Sequence, residues 1–419
     1  MRGTTPEEQA ESDRAALLPP QKTADGRRAA VTALALLAGI VVLAVLRPHT
    51  AGTVGVLAAI IAMIMLHELG HFVMAKQAGM KVTEFFLGFG PRLWSIRRGE
   101  TEYGVKAIPA GGYVRIIGMS NMDEVDPADE ERTYRSKPYR QRLGVAVAGS
   151  TMHFMIAAVL LFLLYAAVGE PSARPVIEQI VKDSPAQQSD FRVGDRIVAV
   201  NQIPVKTWEE IPRYVESHGE SPLVFTVVRK DTGERLDVSV RPRPMQIDGR
   251  EVPRIGIGPE QFLQTKSIPS SIGATVTKMP SYMWQTVKAL GGIVSPGGIE
   301  NYGNLLTGNG GDNTKRFISP YGAAQVASEA VDSGWGAVLV FLFTINIFVG
   351  IFNMVPLLPL DGGHVAIATY EKIASKIKRR RVQVDVQRLM PITAAVLAVL
   401  VIMGLTALYL DIVRPVSGQ

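Results

Sequence analysis

Long blocks of apolar residues constrain this chain more than any other feature. A bilayer-crossing helix needs about 20 such residues, with 17 to 25 usual. Residues 29–46, 143–168, 335–360 and 391–410 meet that length. A fifth block, 52–78, also does, although it carries His67, Glu68 and His71. Five transmembrane helices are therefore expected. Only 47% of the 419 residues are hydrophobic, which is ordinary for a soluble protein, so it is the clustering that matters. Residues 29–46 read as a retained helix and not a signal peptide. The lead-in is long and contains Glu7, Glu8, Glu11 and Asp13, and no small-residue cleavage site follows.

Lys and Arg are distributed asymmetrically between alternate connections. The tail 1–28 has five, segment 76–142 twelve and connection 372–388 seven. The turn 47–51 has only Arg47, and the residues after Leu410 only Arg414. The positive-inside rule then puts the N-terminus in the cytoplasm and 169–334 outside it. The formal charge of +6 is explained by this topology, and no nucleic-acid partner is needed. Cysteine is absent, which excludes disulfides, thiolate catalysis and Cys-based metal sites. Any metal must be held by His, Asp or Glu.

Between the spans, 81–118 reads as short β-prone pieces punctuated by glycine. Phe85, Phe86, Leu87, Phe89, Leu93 and Trp94 make it too apolar for a free linker. It is expected to be a small sheet re-entering the membrane, where protein must cover irregular backbone. Residues 172–262 read as one small extracytoplasmic α/β domain. Residues 266–294 read as an amphipathic helix, and the Gly- and Asn-rich 296–322 as a flexible loop. No internal repeat supports an inverted-repeat transporter.

The sharpest chemical signal is His67-Glu68-Leu69-Gly70-His71. On a helix, positions i and i+4 share a face, so both imidazoles reach one ion. Glu68 points about 100° away, which suits a general base beside the metal. Zinc is the natural occupant, because a catalytic zinc keeps three protein ligands and an open position. Among chains with six histidines the pattern arises by chance in well under ~1%. Ionisable groups inside an apolar span are functional candidates by default. For the third ligand Asp361 is preferred. It ends an uncharged run within Leu360-Asp361-Gly362-Gly363-His364, and Pro356 and Pro359 break the helix before it. His153 and His364 are alternatives. Asn346 and Asn353 are candidate contacts for the backbone of an unwound substrate, and such polar residues also glue helices together. The 81–118 sheet offers an edge for strand addition to that substrate.

These motifs make the chain resemble the site-2 proteases, in the RseP-like branch of bacterial intramembrane zinc metalloproteases. The resemblance runs from about residue 55 to 410. It includes the HELGH stretch, Phe89-Gly90-Pro91, Pro109-Ala110-Gly111-Gly112-Tyr113, Asn353-Met354-Val355-Pro356 and the Leu360-Asp361-Gly362 motif. It implies zinc held by His67, His71 and Asp361, a catalytic Glu68, and Asn353 as a substrate contact. It further implies a bacterial inner-membrane location. The implied partners are single-pass membrane proteins pre-trimmed by an upstream site-1 protease, such as anti-sigma factors, and also remnant signal peptides. Residues 172–262 resemble a PDZ domain through Ser184-Pro185-Ala186 and Val193-Gly194-Asp195-Arg196-Ile197. Asp190 and Gln202 stand where glycine is usual. At Gly149-Ser150-Thr151-Met152-His153 the family usually has Gly-Pro and then Asn, so His153 is a departure. The expected fold is thus a polytopic α-helical membrane protein with a membrane-reentrant β-sheet and an extracytoplasmic PDZ-like α/β domain. The competing function is a membrane scaffold or adaptor with a structural metal, which would call for a closed set of four ligands.

Overall fold

The computed structural model describes residues 48–119, 124–247 and 250–415. The tail 1–28 and the helix read at 29–46 lie outside the described residues. The chain divides into two compact units, 162–274 and the remainder.

In the larger unit, α1 (Pro48–Gln77) leads into two long strands, β1 (Val82–Arg98) and β2 (Thr101–Ile116). Each strand folds over on itself. Glu84–Leu87 pair with 112–115 on one side and with 102–105 on the other, while 92–98 pair with 101–106. The hairpin is therefore a four-segment sheet whose edges are 92–98 and 112–116. The four pieces match the β-prone stretches legible in the sequence. One part of the sheet is buried against α1 through Met80, Val82 and Ile116. Elsewhere it exposes Phe89, Leu93, Trp94, Ile96 and Ile108, an apolar patch unlike the surface of a water-soluble hairpin.

A 3-10 turn (Pro127–Arg132) precedes α2 (Tyr139–Leu163), which continues as one π-turn through Val168. After the smaller unit the chain returns through α4 (Ile268–Ile293), α5 (Pro296–Thr307), α6 (Pro320–Asp332), α7 (Trp335–Phe352), α8 (Asp361–Lys378) and α9 (Met390–Val413). Four described helices are long and apolar enough to cross a membrane: α1, α2, α7 and α9 with its lead-in. Only 17–44% of each span's apolar window is covered by protein. The rest of each window is left uncovered among the described residues, as suits a helix facing lipid.

The expected flexible loop 296–322 is helical over 296–307 and again from 320, with 308–319 irregular between them, so that reading is corrected in part. Ser295 caps α5 by accepting the Gly298 N–H, Pro296 takes the first-turn position, and Gly308 ends the helix in the left-handed region at φ 85°. Ser319 and Pro320 repeat the device at α6. These are standard start and stop signals, and the Gly- and Asn-rich composition masked them. The connecting segment is held by the fully buried Arg316–Asp411 ion pair, 2.6 Å. Asp411 also accepts the Ser319 N–H, and Arg316 donates to the Arg414 carbonyl.

The smaller unit is an antiparallel sheet in the order β10-β3-β4-β6-β7, with a short β5 beside β4 and a separate β8–β9 hairpin. Its strands run from β3 (Glu170–Ile180) through β4 (Arg196–Val200), β5 (Ile203–Pro204), β6 (Leu223–Val228), β7 (Arg235–Val240), β8 (Arg243–Ile247) and β9 (Arg250–Arg254) to β10 (Ile257–Gln264). One helix, α3 (Glu210–His218), packs Ile211 and Val215 onto Phe225, Ile197 and Val238. Alternation drives this packing, since Leu223, Phe225 and Val227 all face inward. Asp190 is not an idle substitute for glycine: with Asp195 it holds the buried guanidinium of Arg229. Gln202 adopts φ 68°, the left-handed region that favours glycine.

Candidate metal centre

The site grows from three elements of the larger unit. On α1 the i, i+4 spacing stacks His67 and His71 on one face, both nearly fully buried. That face meets α2 at Gly149. A Cβ there would lie 2.3 Å from Cε1 of His67 and 2.4 Å from Nε2 of His71, so only glycine leaves the rings their place. The third group arrives from a break in the chain. Helix α7 stops at Phe352, and residues 353–360 fold over the first turn of α8. A Cβ on Gly362 would sit 2.3 Å from the carbonyl oxygens of Met354 and Val355, and one on Gly363 2.7 Å from the Leu358 nitrogen. The paired glycines permit that tight wrap, and Asp361 opens α8 at its mouth.

The three side chains converge. His67 Nε2 and His71 Nε2 lie 3.2 Å apart, and Asp361 Oδ2 stands 3.5 Å and 3.3 Å from them. A tetrahedral zinc with bonds near 2.0–2.2 Å separates its ligands by about 3.3–3.5 Å. The observed triangle fits that shape. Its hydrogen bonding fits too. His71 Nδ1 donates to the Val145 carbonyl at 2.7 Å, which leaves the Nε2 lone pair facing the centre, as in metal-bound histidines. Asp361 Oδ2 is buried without a well-formed hydrogen bond among the described residues. Such an orphaned buried atom is costly unless something else satisfies it. These residues can hold one divalent cation, and among the described residues they form the one group of this kind.

Glu68 is half-buried on the neighbouring face. Its Cγ lies 3.0 Å from the position a Gly112 Cβ would take, and the Val114 main-chain N–H approaches its carboxylate. The edge segment 112–116 therefore runs past Glu68. The Gly111-Gly112 pair was legible in the sequence, but its partner helix was not.

The remaining candidates separate. Asn346 is fully buried and spent. Its Nδ2 donates to the Leu342 carbonyl at 2.8 Å and contacts Met63 Sδ, and its Oδ1 accepts from His153 Nδ1 at 2.8 Å. Both ends of the amide are engaged in helix packing, the other of the two roles open to it from the sequence. His153 stands beside His67, ring centroids 5.0 Å apart, as its neighbour and outside the donor triangle. His364 turns to Tyr134. Asn353 caps α7, its carbonyl accepting the Gly362 N–H at 2.8 Å, and its side-chain amide has no hydrogen-bond partner among the described residues. The His153–Asn346 pair was missed in the sequence, since nothing in spacing alone joins residues 193 apart.

Comparisons with known proteins converge on one chemistry. The model of peptidase family M50 matches residues 55–400. The zinc metalloprotease Rip1 of Mycobacterium tuberculosis is 31% identical over 407 residues, covering 85% of this chain and 96% of that protein. Rip1 of Mycolicibacterium smegmatis is 32% identical over 409 residues, covering 86% and 96%. A solved PDZ domain of an SdrC-like protein from Listeria monocytogenes overlaps 20% of this chain and 84% of its own. Identity there is 19% and the TM-score 0.18, too low to assign a fold.

Proposed function

The chain belongs to peptidase family M50, the site-2 proteases, and from that premise we propose that it hydrolyses peptide bonds within transmembrane segments. The substrates would be pre-trimmed single-pass membrane proteins, anti-sigma factors among them, and remnant signal peptides. The observation that carries this reading is the donor triangle of His67, His71 and Asp361, with sides of 3.2–3.5 Å, set between apolar helices. Three protein ligands suit a hydrolytic site, whereas a structural ion is closed by four.

Zinc held by these residues would supply a Lewis acid and acidify the attacking water. Glu68 takes that water's proton and delivers it to the leaving amine. The edge segment 112–116 passes Glu68 and has strand-pairing capacity. It would add an unwound substrate as a further strand, satisfying backbone groups that would otherwise be bare in lipid. The Asn353 side chain, without a hydrogen-bond partner among the described residues, would take a substrate carbonyl. The exposed Phe89, Leu93, Trp94 and Ile108 support a sheet dipping into the bilayer. Lys and Arg asymmetry supports a multi-pass topology with a cytoplasmic N-terminus in the bacterial inner membrane, and with the smaller, PDZ-like unit outside, where it would restrict substrate size.

The test is cleavage of a truncated single-span substrate by detergent-purified protein, comparing the natural chain with Glu68→Gln. A fall of at least about 100-fold, the range set by loss of a general base, is expected with zinc content unchanged. Undiminished cleavage by the variant rejects the mechanism.

A further inference from the structure

Away from the metal centre, the larger unit holds a cavity of about 360 Å³ between the start of α2, helix α8 and the segment after it. Arg135, Lys137, Arg142, Lys372 and Arg381 line it, with Glu371 as the acidic member. Both Glu371 oxygens are committed. One pairs with Arg142 at 2.6 Å and the other accepts the Val384 N–H at 2.7 Å. Arg135 is paired with Glu130, and Arg381 donates to the Arg135 carbonyl at 2.8 Å. Lys372 Nζ lies 4.2 Å from the centre of the Tyr139 ring. Lys137 has no ion pair among the described residues, and Arg142 Nε is buried without a hydrogen-bond partner. Five cations thus converge on a cavity whose one lining carboxylate is already committed, and one guanidinium nitrogen is left unsatisfied among the described residues.

We propose that this cavity binds a phosphate-bearing anion, and that its occupant is the headgroup of an anionic phospholipid. Arg and Lys together suit phosphate, the guanidinium by directed hydrogen bonds and the ammonium as a point charge. The size lies in the range of ligand pockets. Tyr139 and Arg142 belong to the first turn of the apolar helix α2, which puts the cavity at headgroup level. Basic pockets between membrane helices on the cytoplasmic side take such headgroups. The lipid source rests on the membrane orientation proposed above, whereas the anion site does not. Neither requires protease activity.

The experiment uses the full chain in two arms. In phosphatidylcholine nanodiscs containing 10 mol % spin-labelled phosphatidylglycerol, the motionally restricted lipid is measured. In detergent, binding of labelled inorganic phosphate is measured by equilibrium dialysis. Lys137→Gln with Lys372→Gln removes two pocket cations. Lys376→Gln with Lys378→Gln removes two exposed cations from the same helix region outside the pocket. Gel filtration and zinc content check that both variants are folded. Affinity for the labelled lipid is expected to fall about 25-fold in the first variant, roughly fivefold per cation, and to stay within twofold in the second. Phosphate binding with this dependence but no restricted lipid keeps the anion site and overturns the lipid source. Equal losses in both variants, or no binding in either arm, overturn the proposal.

Discussion

Replacing Gly149 with alanine adds a methyl carbon 2.3 Å from Cε1 of His67, 2.4 Å from Nε2 of His71 and 2.6 Å from Nδ1 of His67. Carbon atoms settle near 3.5–4.0 Å, so the rings must retreat by about 1.2 Å. Metal–ligand distances tolerate about 0.2 Å, so at least one imidazole leaves coordinating range. Helix α2 could back away only by giving up its close seat on Gly70, where Ala148 and Met152 pack against α1. Mutations that merely disturb a ligand's support cost 10–100-fold in metal affinity, so displacement of a ligand is expected to cost about 100-fold or more. The assay is zinc affinity by chelator competition on detergent-purified protein, with helix content by circular dichroism as the folding control. Gly144→Ala on the same helix provides the comparison. A Cβ there meets only the flexible end of Met74, at 3.1 Å, and zinc affinity should be unchanged. Natural zinc affinity in folded Gly149→Ala would refute the close α1–α2 approach and with it the site as drawn.

Two predictions concern the fold. Asp411→Leu strands the fully buried Arg316 guanidinium and is expected to destabilise the chain by about 3–5 kcal/mol. The double change with Arg316→Met should recover most of that loss, measured by denaturant unfolding in detergent, and additive losses would contradict the pairing. Phe225→Ala empties the centre of the smaller unit, where Phe225 meets Phe191 edge-on at 5.5 Å. It should cost about 3–5 kcal/mol, read as faster amide exchange in β4 and β6, and unchanged exchange there would argue against a single packed core.

Legibility differed by interaction range. Four of the five expected spans and the β character of 81–118 were readable, because each obeys a local periodicity or length rule. Helices α5 and α6 were also locally signalled by Ser-Pro starts, which the reading from composition did not use. Asn346 shows the opposite limit. Seven residues from Asn353 in one apolar run, it looked equally free, yet His153 and Met63 consume its amide. Only the packing of α1, α2 and α7 reveals that.

By itself the sequence determined that apolar blocks need lipid and that His67 and His71 share one helical face. It also showed that a lone aspartate follows a proline-broken run. Those are consequences of residue type and short-range spacing. Tertiary structure decided that Asp361 reaches the imidazoles, that Gly149 makes room for them, and that five cations meet around one cavity. Each of these joins residues far apart in the chain, and whether such groups meet depends on how whole helices pack.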